Sequence, residues 1–492
     1  MALPVALYST DQVRSLDAHA INELKIPGYT LMKRAGEAAL RYLRTRWPMS
    51  HRIVIVCGAG NNGGDGYVLG RFAQAAGLTV TVLAAAEPEV LRGDARRAYE
   101  DFRASEGSLK PFAPEHLSAG EVIVDALLGT GFKGPVRENL AAVIRAVNAA
   151  GTPVFALDVP SGLDSDAGTV AGVAIRAEAT VTFVGLKTGL FVGDGPDYAG
   201  TVFFDDLELG DAPQLGLAPR LTRIVEAEIH AALPRRARAS NKGDFGRVLI
   251  VGSGSGMPGA GRLAGEASLR VGAGLVTVAV APENVTAIAA GRPELICIGV
   301  KEDGDLDEAL SRVDVVAVGP GLGRTPWARA ALRAALTSGK PLVVDADALN
   351  LLAESSPAPR EDWILTPHPG EAGRLLGTST QEVQQDRLAA LDRLLDRYHG
   401  TVVLKGAGTL VGAAGRTPGL CERGNPGMAT AGTGDVLTGT IAGILAQCAD
   451  PWTAARVGVL VHAMAGDAAA RVGERGVLAS DLLRELPHCV NL

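Results

Sequence analysis

The sequence predicts an α/β protein of two domains, each built on a mostly parallel sheet with helices on both faces. Three observations predict it. The chain has 492 residues, and single cores stop growing at roughly 250 to 300 residues, so two large domains are expected. Short apolar runs at residues 52–57, 122–124, 154–157, 248–251, 275–280, 313–318, 341–344 and 401–404 alternate with stretches of helical spacing, the rhythm of strand and helix crossovers. The 62 glycines against only 4% aromatic residues suit many tight loops beside ligands. Composition changes at residues 211–238, with Gly, Pro and Leu up to residue 219, a short helical piece ending at Leu233 and Pro234, and a basic run over 235–238. That stretch separates a first domain, residues 1–215, from a second, residues 221–492.

With 47% hydrophobic residues, 21% charged and a net charge of −7, the chain has ample core material, and nothing recommends a nucleic-acid or anionic-membrane partner. The longest apolar runs are strand-sized, below the roughly 18 residues of a membrane helix, and residues 1–11 lack the cationic start of a signal peptide. Five scattered cysteines form no C-x-x-C pair, so a reducing cytoplasm is expected.

In the first domain residues 13–47 read as helical, broken at Pro27 and Gly28, with Leu31, Met32, Ala35, Ala38 and Ala39 on one face that covers a sheet or a subunit interface. The strand at 52–57 runs into Gly58, Ala59, Gly60, Asn61, Asn62, Gly63, Gly64, Asp65 and Gly66, read as a loop ahead of a helix over 67–76. Gly58, Gly60 and Gly63 satisfy G-x-G-x-x-G, but no acid ends the next strand, 79–85, so an NAD-dehydrogenase reading loses ground. Two amides and a carboxylate at a strand's carboxyl end suit a hard cation or ribose and phosphate groups. The same Asn-Gly and Asp-Gly pairs also describe plain turns. Two more strands end in an acid and a loop: Asp125 leads to Gly129, Thr130, Gly131, Phe132, Lys133, Gly134 and Pro135, and Asp158 leads to Ser161 and Asp164. A strand-terminal Asp often only caps a helix, yet in an open parallel sheet such loops converge on one crevice, where Asn62, Asp125, Asp158 and Ser161 can meet.

The second domain repeats the design. The strand at 248–251 leads into Gly252 to Gly261, including Ala260, ahead of a helix over 262–271; the strand at 313–318 leads to Gly319, Pro320, Gly321, Leu322 and Gly323; the strand at 341–344 leads to Asp345, Ala346 and Asp347. His368 stands between Pro367 and Pro369, as a capping histidine or a ligand contact. Lys405, Gly406, Ala407, Gly408 and Thr409 follow the strand at 401–404, and describe either a hairpin turn or an anion-binding loop. The organising stretch is Asn425 to Gly439, where Gly- and Thr-rich residues feed a helix predicted to begin near Thr433 and run to about Cys448. Free amides and the macrodipole make that junction a phosphate site. Asp435 in its first turn either complements the dipole or takes a proton from a hydroxyl meeting a phosphoryl group.

The Asn425 to Gly439 string resembles the glycine and aspartate signature of the ribokinase-like superfamily, and within it the ADP- or ATP-dependent NAD(P)H-hydrate dehydratases. Residues 61–66, 125–131, 159–164, 179–183 and 187–190 resemble the YjeF N-terminal domain, the NAD(P)H-hydrate epimerase. The resemblances imply a Rossmann-like α/β/α sandwich followed by a ribokinase-like α/β domain. In the epimerase they imply K+ on Asn62, Asp125 and Ser161, and hydrated nucleotide among Asn61, Asn62, Gly63, Gly64, Asp65, Gly129 to Pro135 and Asp158, with Asp158 catalytic. The catalytic lysine stays open between Lys133 and Lys187. In the dehydratase they imply adenine nucleotide on Lys405, Gly406, Ala407, Gly408, Thr409 and Gly434, and hydrated nicotinamide at Ala260, Gly321, Gly323, His368 and Asp435.

The implied activity is repair of hydrated NAD(P)H: epimerisation of R and S NADHX and NADPHX, and dehydration of the S epimer with ADP and Mg2+, AMP and phosphate being by-products. A homo-oligomer is expected. Two rivals share these motifs, a small-molecule kinase of the same superfamily and a first domain that senses nucleotide without turnover.

Overall fold

The computed structural model describes residues 3–210, 216–301, 303–355 and 357–491; residues 211–215, where the first predicted domain ends and the predicted linker begins, lie outside the described residues. The chain divides into two compact units, residues 1–221 and 222–492.

The first unit is an all-parallel seven-stranded sheet in the order Ser108–Pro111, Thr79–Ala84, Arg52–Cys57, Val122–Ala126, Val154–Leu157, Ala179–Phe183 and Thr201–Asp205. Its central strands are apolar on both faces, Ile53, Val54, Ile55 and Val56 being buried throughout, because helices cover both sides. Strand order reverses between Arg52–Cys57 and Val122–Ala126, and a crevice outside the carboxyl ends at such a switch is where ligands bind in this architecture. Ahead of the sheet lie the helices Thr10–Asn22 and Gly28–Arg46, interrupted at the predicted Pro27 break. The first begins on a capping box: Ser9 Oγ accepts from the Gln12 amide at 3.3 Å while Gln12 Oε1 accepts from the Ser9 amide at 2.9 Å. A short strand, Ala6–Tyr8, pairs in parallel with Leu186–Lys187, a pairing that three-residue runs do not announce.

One expectation is corrected. Asn61 to Gly66 is no loop: the helix starts at Asn61 and runs to Ala75. The glycines serve close packing, since a Cβ on Gly63 would stand 2.2 Å from the Gly58 carbonyl oxygen, and one on Gly66 2.7 Å from the Ala126 Cβ. Turn chemistry and tight helix-on-strand packing select the same residue.

In the second unit Ile296–Gly299, Leu275–Val280, Arg247–Val251, Val315–Val318, Leu342–Val344, Trp363–Leu365 and Thr401–Leu404 lie side by side and parallel. Thr409–Ala413 and Gly419–Cys421 then continue the sheet antiparallel. The helix Thr433–Cys448 is apolar nearly all round, with Val436, Ile441, Ala442 and Ile444 fully buried, as a helix enclosed by others must be. It packs against Pro258–Arg270 and Pro451–Ala469. Its approach to the former is so close that a Cβ on Gly439 would meet the Ala264 carbonyl oxygen at 1.9 Å. The helix expected from residue 262 begins four residues earlier, at Pro258, because proline is tolerated in a first turn where its missing N–H has no partner to lose.

Candidate active sites

At the switch point of the first unit a cleft of about 1420 Å³ opens, lined among others by Asn61, Asn62, Asp65, Gly129, Thr130, Gly131, Phe132, Lys133, Pro135 and Asp158. Gly63 and Gly64 are instead buried in helix packing, and Gly134 lies in the exposed loop. Beneath the cleft Asn62, Asp125 and Ser161 come together, all buried. Ser161 Oγ donates to Asp125 Oδ1 at 2.6 Å, and the Ser161 amide donates to Asp125 Oδ2 at 2.8 Å. The Leu128 amide donates to Ser161 Oγ at 2.8 Å, and Asn62 Nδ2 donates to the Leu128 carbonyl at 2.8 Å. Asn62 Oδ1 is buried without a protein partner among the described residues, although buried acceptors are normally satisfied. Burial pushes the Asp125 carboxyl up to about 6, against the lowering effect of its Ser161 and Leu127 hydrogen bonds. An orphaned amide oxygen beside a carbonyl, a hydroxyl and one desolvated carboxylate fits a hard cation of low charge. No cluster of three His, Cys, Asp or Glu is present among the described residues.

Deeper in the cleft Asp158 occupies a left-handed backbone conformation, φ +66°, of the kind that clusters at functional positions. Its Oδ1 receives Lys187 Nζ in an ion pair, and Lys187 Nζ also donates to the Phe183 carbonyl at 2.7 Å. Lys187 is 1% exposed and Lys133 61%, the latter 3.6 Å from Asp166. Of the two lysines that the sequence leaves open, only Lys187 reaches Asp158. Asp17 and Asp65 line the same cleft. Burial raises Asp17 to about 6, Lys187 opposing and Asp158 reinforcing; burial and the charges of Asp158 and Asp17 raise Asp65 well above the carboxylate range.

In the second unit the helix at Thr433 starts from Gly432, at φ +90°, with no side chain capping its first amides. Those donors therefore stay available to an anion. Thr433 Oγ1 donates to the Thr430 carbonyl at 2.9 Å, and buried His462 Nε2 lies 2.9 Å from the Thr433 carbonyl. Lys405 and Asp345 pair under the first turn at 2.7 Å, with Thr438 Oγ1 donating to the other Asp345 oxygen at 2.6 Å. A Cβ on Gly434 would lie 3.8 Å from both Asp345 Oδ2 and Lys405 Nζ. Burial disfavours the Asp345 carboxylate, but Lys405 and these hydrogen bonds hold it below its ordinary value. Asp435 has no such partner among the described residues: burial and the Asp345 charge, opposed by Lys405, push it up to about 7.

The loops that carry Gly254, Gly321, Gly323 and His368 lie near the same helix start. The Gly254 amide donates to the Gly321 carbonyl at 2.7 Å, Gly321 approaches the Ala260 Cβ, and the Gly323 amide donates to Asp347 Oδ2 at 2.8 Å. His368 is the N-cap of Pro369–Leu376: its Nδ1 accepts from the Gly370 amide at 3.0 Å, and its Nε2 lies 3.4 Å from Glu371 Oε1. Lys405 to Gly408 forms the turn of a hairpin, with Leu404 opposite Leu410, and the buried Arg387 guanidinium holds the carbonyls of Leu404, Lys405 and Gly408. Gly406, Ala407 and Thr409 lie in or next to that turn. Arg387 lies in no motif of the sequence, whereas Thr438 falls inside the Asn425 to Gly439 stretch and Glu371 follows His368 by three residues, neither marked there as a site residue. Asp345 and Asp347 carry the strand-terminal acid that also marks Asp125 and Asp158, a signal that identifies a place but not a partner.

Two family models match: YjeF-related protein N-terminus over residues 28–189 and NAD(P)H-hydrate dehydratase over residues 248–488. The bifunctional NAD(P)H-hydrate repair enzyme of Coxiella burnetii is 48% identical, over 99% of each chain; that of Escherichia coli K12 is 42% identical, over 100% of this chain and 95% of its own. Among solved structures, an ADP/ATP-dependent NAD(P)H-hydrate dehydratase from Bacillus subtilis, co-crystallized with ATP/Mg2+, is 30% identical over 54% of this chain and 96% of its own, with a TM-score of 0.50. A ribokinase-like superfamily protein from Enterococcus faecalis is 32% identical over 56% of this chain and 96% of its own, with a TM-score of 0.52. With its two units each matched and its length covered by relatives of one kind, the chain belongs to the bifunctional NAD(P)H-hydrate repair enzymes.

Proposed function

We infer that this chain repairs hydrated NAD(P)H, the first unit interconverting the R and S epimers and the second dehydrating the S epimer with an adenine nucleotide. The observation that carries the reading is the end-to-end match to bifunctional repair enzymes, supported by a distinct cluster of ionisable groups in each unit. A small-molecule kinase is not favoured, because such a reading leaves the first unit's cleft without a task.

In the dehydratase Asp435 takes the proton from the ring hydroxyl as the terminal phosphoryl group is transferred to it, and the lone pair of the ring nitrogen then expels phosphate. Phosphorylation turns hydroxide, a poor leaving group, into a good one. The uncapped amides of residues 433–435 hold the phosphate, and the Lys405 and Asp345 pair supports that turn from below. Each Asp345 oxygen already accepts a hydrogen bond, from Lys405 and from Thr438, so Mg2+ would ride chiefly on nucleotide phosphates, where it would supply charge neutralisation. ADP is the proposed nucleotide, on the strength of the fused architecture. In the epimerase Asp158 and Lys187 would act at the reacting carbon, and Asn62, Asp125 and Ser161 would hold K+. We place the protein in a reducing cytoplasm as a homo-oligomer. All five cysteines are free, and no helix among the described residues is long and apolar enough to cross a membrane.

The test is incubation of the purified protein with mixed epimers of hydrated NADH and ADP, then ATP, following NADH absorbance. Recovery of absorbance with either nucleotide supports repair, and a higher catalytic efficiency with ATP would overturn the ADP choice alone. A stable phosphorylated hydrate with no NADH would overturn the repair reading.

A further inference from the structure

Helix Thr10–Asn22 lies outside the matched family segment, residues 28–189, yet it faces the cleft. Val13, Arg14, Asp17 and Ile21 all line it, positions i, i+1, i+4 and i+8 that share one side of a helix. The helix is fixed in register with the lysine segment: Tyr8 pairs with Lys187 in the parallel ladder, Thr188 Oγ1 donates to the Tyr8 carbonyl at 3.1 Å, the Thr10 amide donates to Asp166 Oδ1 at 2.6 Å, and Thr10 Oγ1 lies 2.6 Å from Ser165 Oγ. Among the described residues no hydrogen bond or salt bridge engages the Asp17 carboxyl, although it is half-buried.

We propose that Asp17 is a proton-transfer residue of the epimerisation centre, acting on the hydrated ring together with Asp158 and Lys187. The proposal rests on the epimerase reading of the first unit. The carbon that carries the added hydroxyl is also bonded to the ring nitrogen, so its configuration inverts if the ring opens and closes. On opening, the Asp158 carboxylate takes the hydroxyl proton and the O–H electron pair forms a C=O bond. The ring C–N bond breaks with its pair on nitrogen, and nitrogen takes the proton of the Asp17 carboxyl. Rotation about the adjacent C–C bond presents the other face of the aldehyde. Nitrogen attacks it and returns its proton to Asp17, while the carbonyl oxygen takes back the proton held on Asp158. Nothing is consumed. The scheme needs one acid that can both give and regain a proton, and burial raises Asp17 to about 6, within reach of neutral pH. The groups around it are Asp65 on helix Asn61–Ala75, Asp158, Lys187, and Arg14 on its own helix.

The test uses the full chain without nucleotide, following exchange between the hydrate epimers by NMR, with dehydration of pure S epimer as the control for folding. Asp17→Asn is expected to lower exchange by about 10²-fold or more, in kcat rather than KM, and to leave dehydration unchanged. Asp17→Glu, which keeps the carboxyl, is expected to restore exchange at least tenfold over Asp17→Asn, a barrier difference of about 1.4 kcal/mol. Exchange in Asp17→Asn within a factor of about three of the parent overturns the proposal and leaves the epimerase reading intact. Equal loss in Asp17→Asn and Asp17→Glu, with dehydration retained, also overturns it. A parent chain that shows no exchange overturns the epimerase reading and the proposal with it.

Discussion

Each unit carries an aspartate and lysine ion pair where parallel strands end, and the two pairs are placed differently. In the first unit Asp158 and Lys187 line the cleft itself, with two further carboxyls, Asp17 and Asp65, beside them. In the second, Asp345 and Lys405 pair beneath the helix start, and the acid beside them without a partner among the described residues is Asp435. A buried ion pair that supports a turn fixes geometry; a carboxyl left unpaired in a desolvated place is the one whose proton moves near neutral pH. The proposed chemistry follows that division. Exchange of a proton within a cluster suits epimerisation, where nothing is consumed, and a lone base beside a phosphate site suits a step that runs one way.

The sharpest way to separate the two regions is Asp435→Asn. The amide keeps the shape and cannot accept a proton, so dehydration should fall by about 10² to 10⁴, while epimer exchange by NMR stays at the parent rate; loss of both would break the division. The mirror experiment is Lys187→Met, which should abolish exchange while dehydration of pure S epimer persists. It also leaves Asp158 without its buried partner, so a stability loss of roughly 3 to 5 kcal/mol, read by denaturant unfolding of the first unit, is expected.

A smaller effect concerns pH. In the proposed mechanism Asp435 works as the deprotonated form, and burial pushes its carboxyl up to about 7, so the dehydration rate should rise with pH through that region and be lost below it. The Asp345 charge is one cause of that elevation, so Asp345→Asn should move the acid limb to lower pH as well as slow the reaction. A limb that does not move would mean that Asp345 acts on Asp435 only through packing. The smallest expected effect is ionic: replacing K+ by a bulky organic cation, or Ser161→Ala, should reduce epimer exchange severalfold and leave dehydration untouched.

How legible each region is in the sequence follows from what its residues have to do. The parallel strands at residues 52–57, 154–157, 275–280 and 401–404 and the helix from Thr433 announce themselves, because buried strands are uniformly apolar and a glycine loop feeding an apolar run has few other uses. The convergence of Asn62, Asp125 and Ser161 is legible because parallel strands aim their loops at one crevice. The helix at Asn61 is hidden, since glycines required by packing against Gly58 and Ala126 look like glycines required by a turn. Lys187 could not be preferred over Lys133 from sequence, because the choice depends on which one the fold buries against Asp158. Asp17 left no trace: one acid on an amphipathic helix reads as a solvated face. His368 is legible as either a cap or a ligand contact, and the structure shows the cap.

The measurement that tests the central claim most directly is NADH recovery from an equilibrium mixture of hydrate epimers under saturating nucleotide, comparing the parent with Lys187→Met. If two separate centres act in series, the parent should convert the whole mixture in one fast phase. Lys187→Met should convert only the S fraction at that rate and then continue slowly, at the pace of uncatalysed epimerisation. Complete conversion in a single fast phase by Lys187→Met would contradict the account.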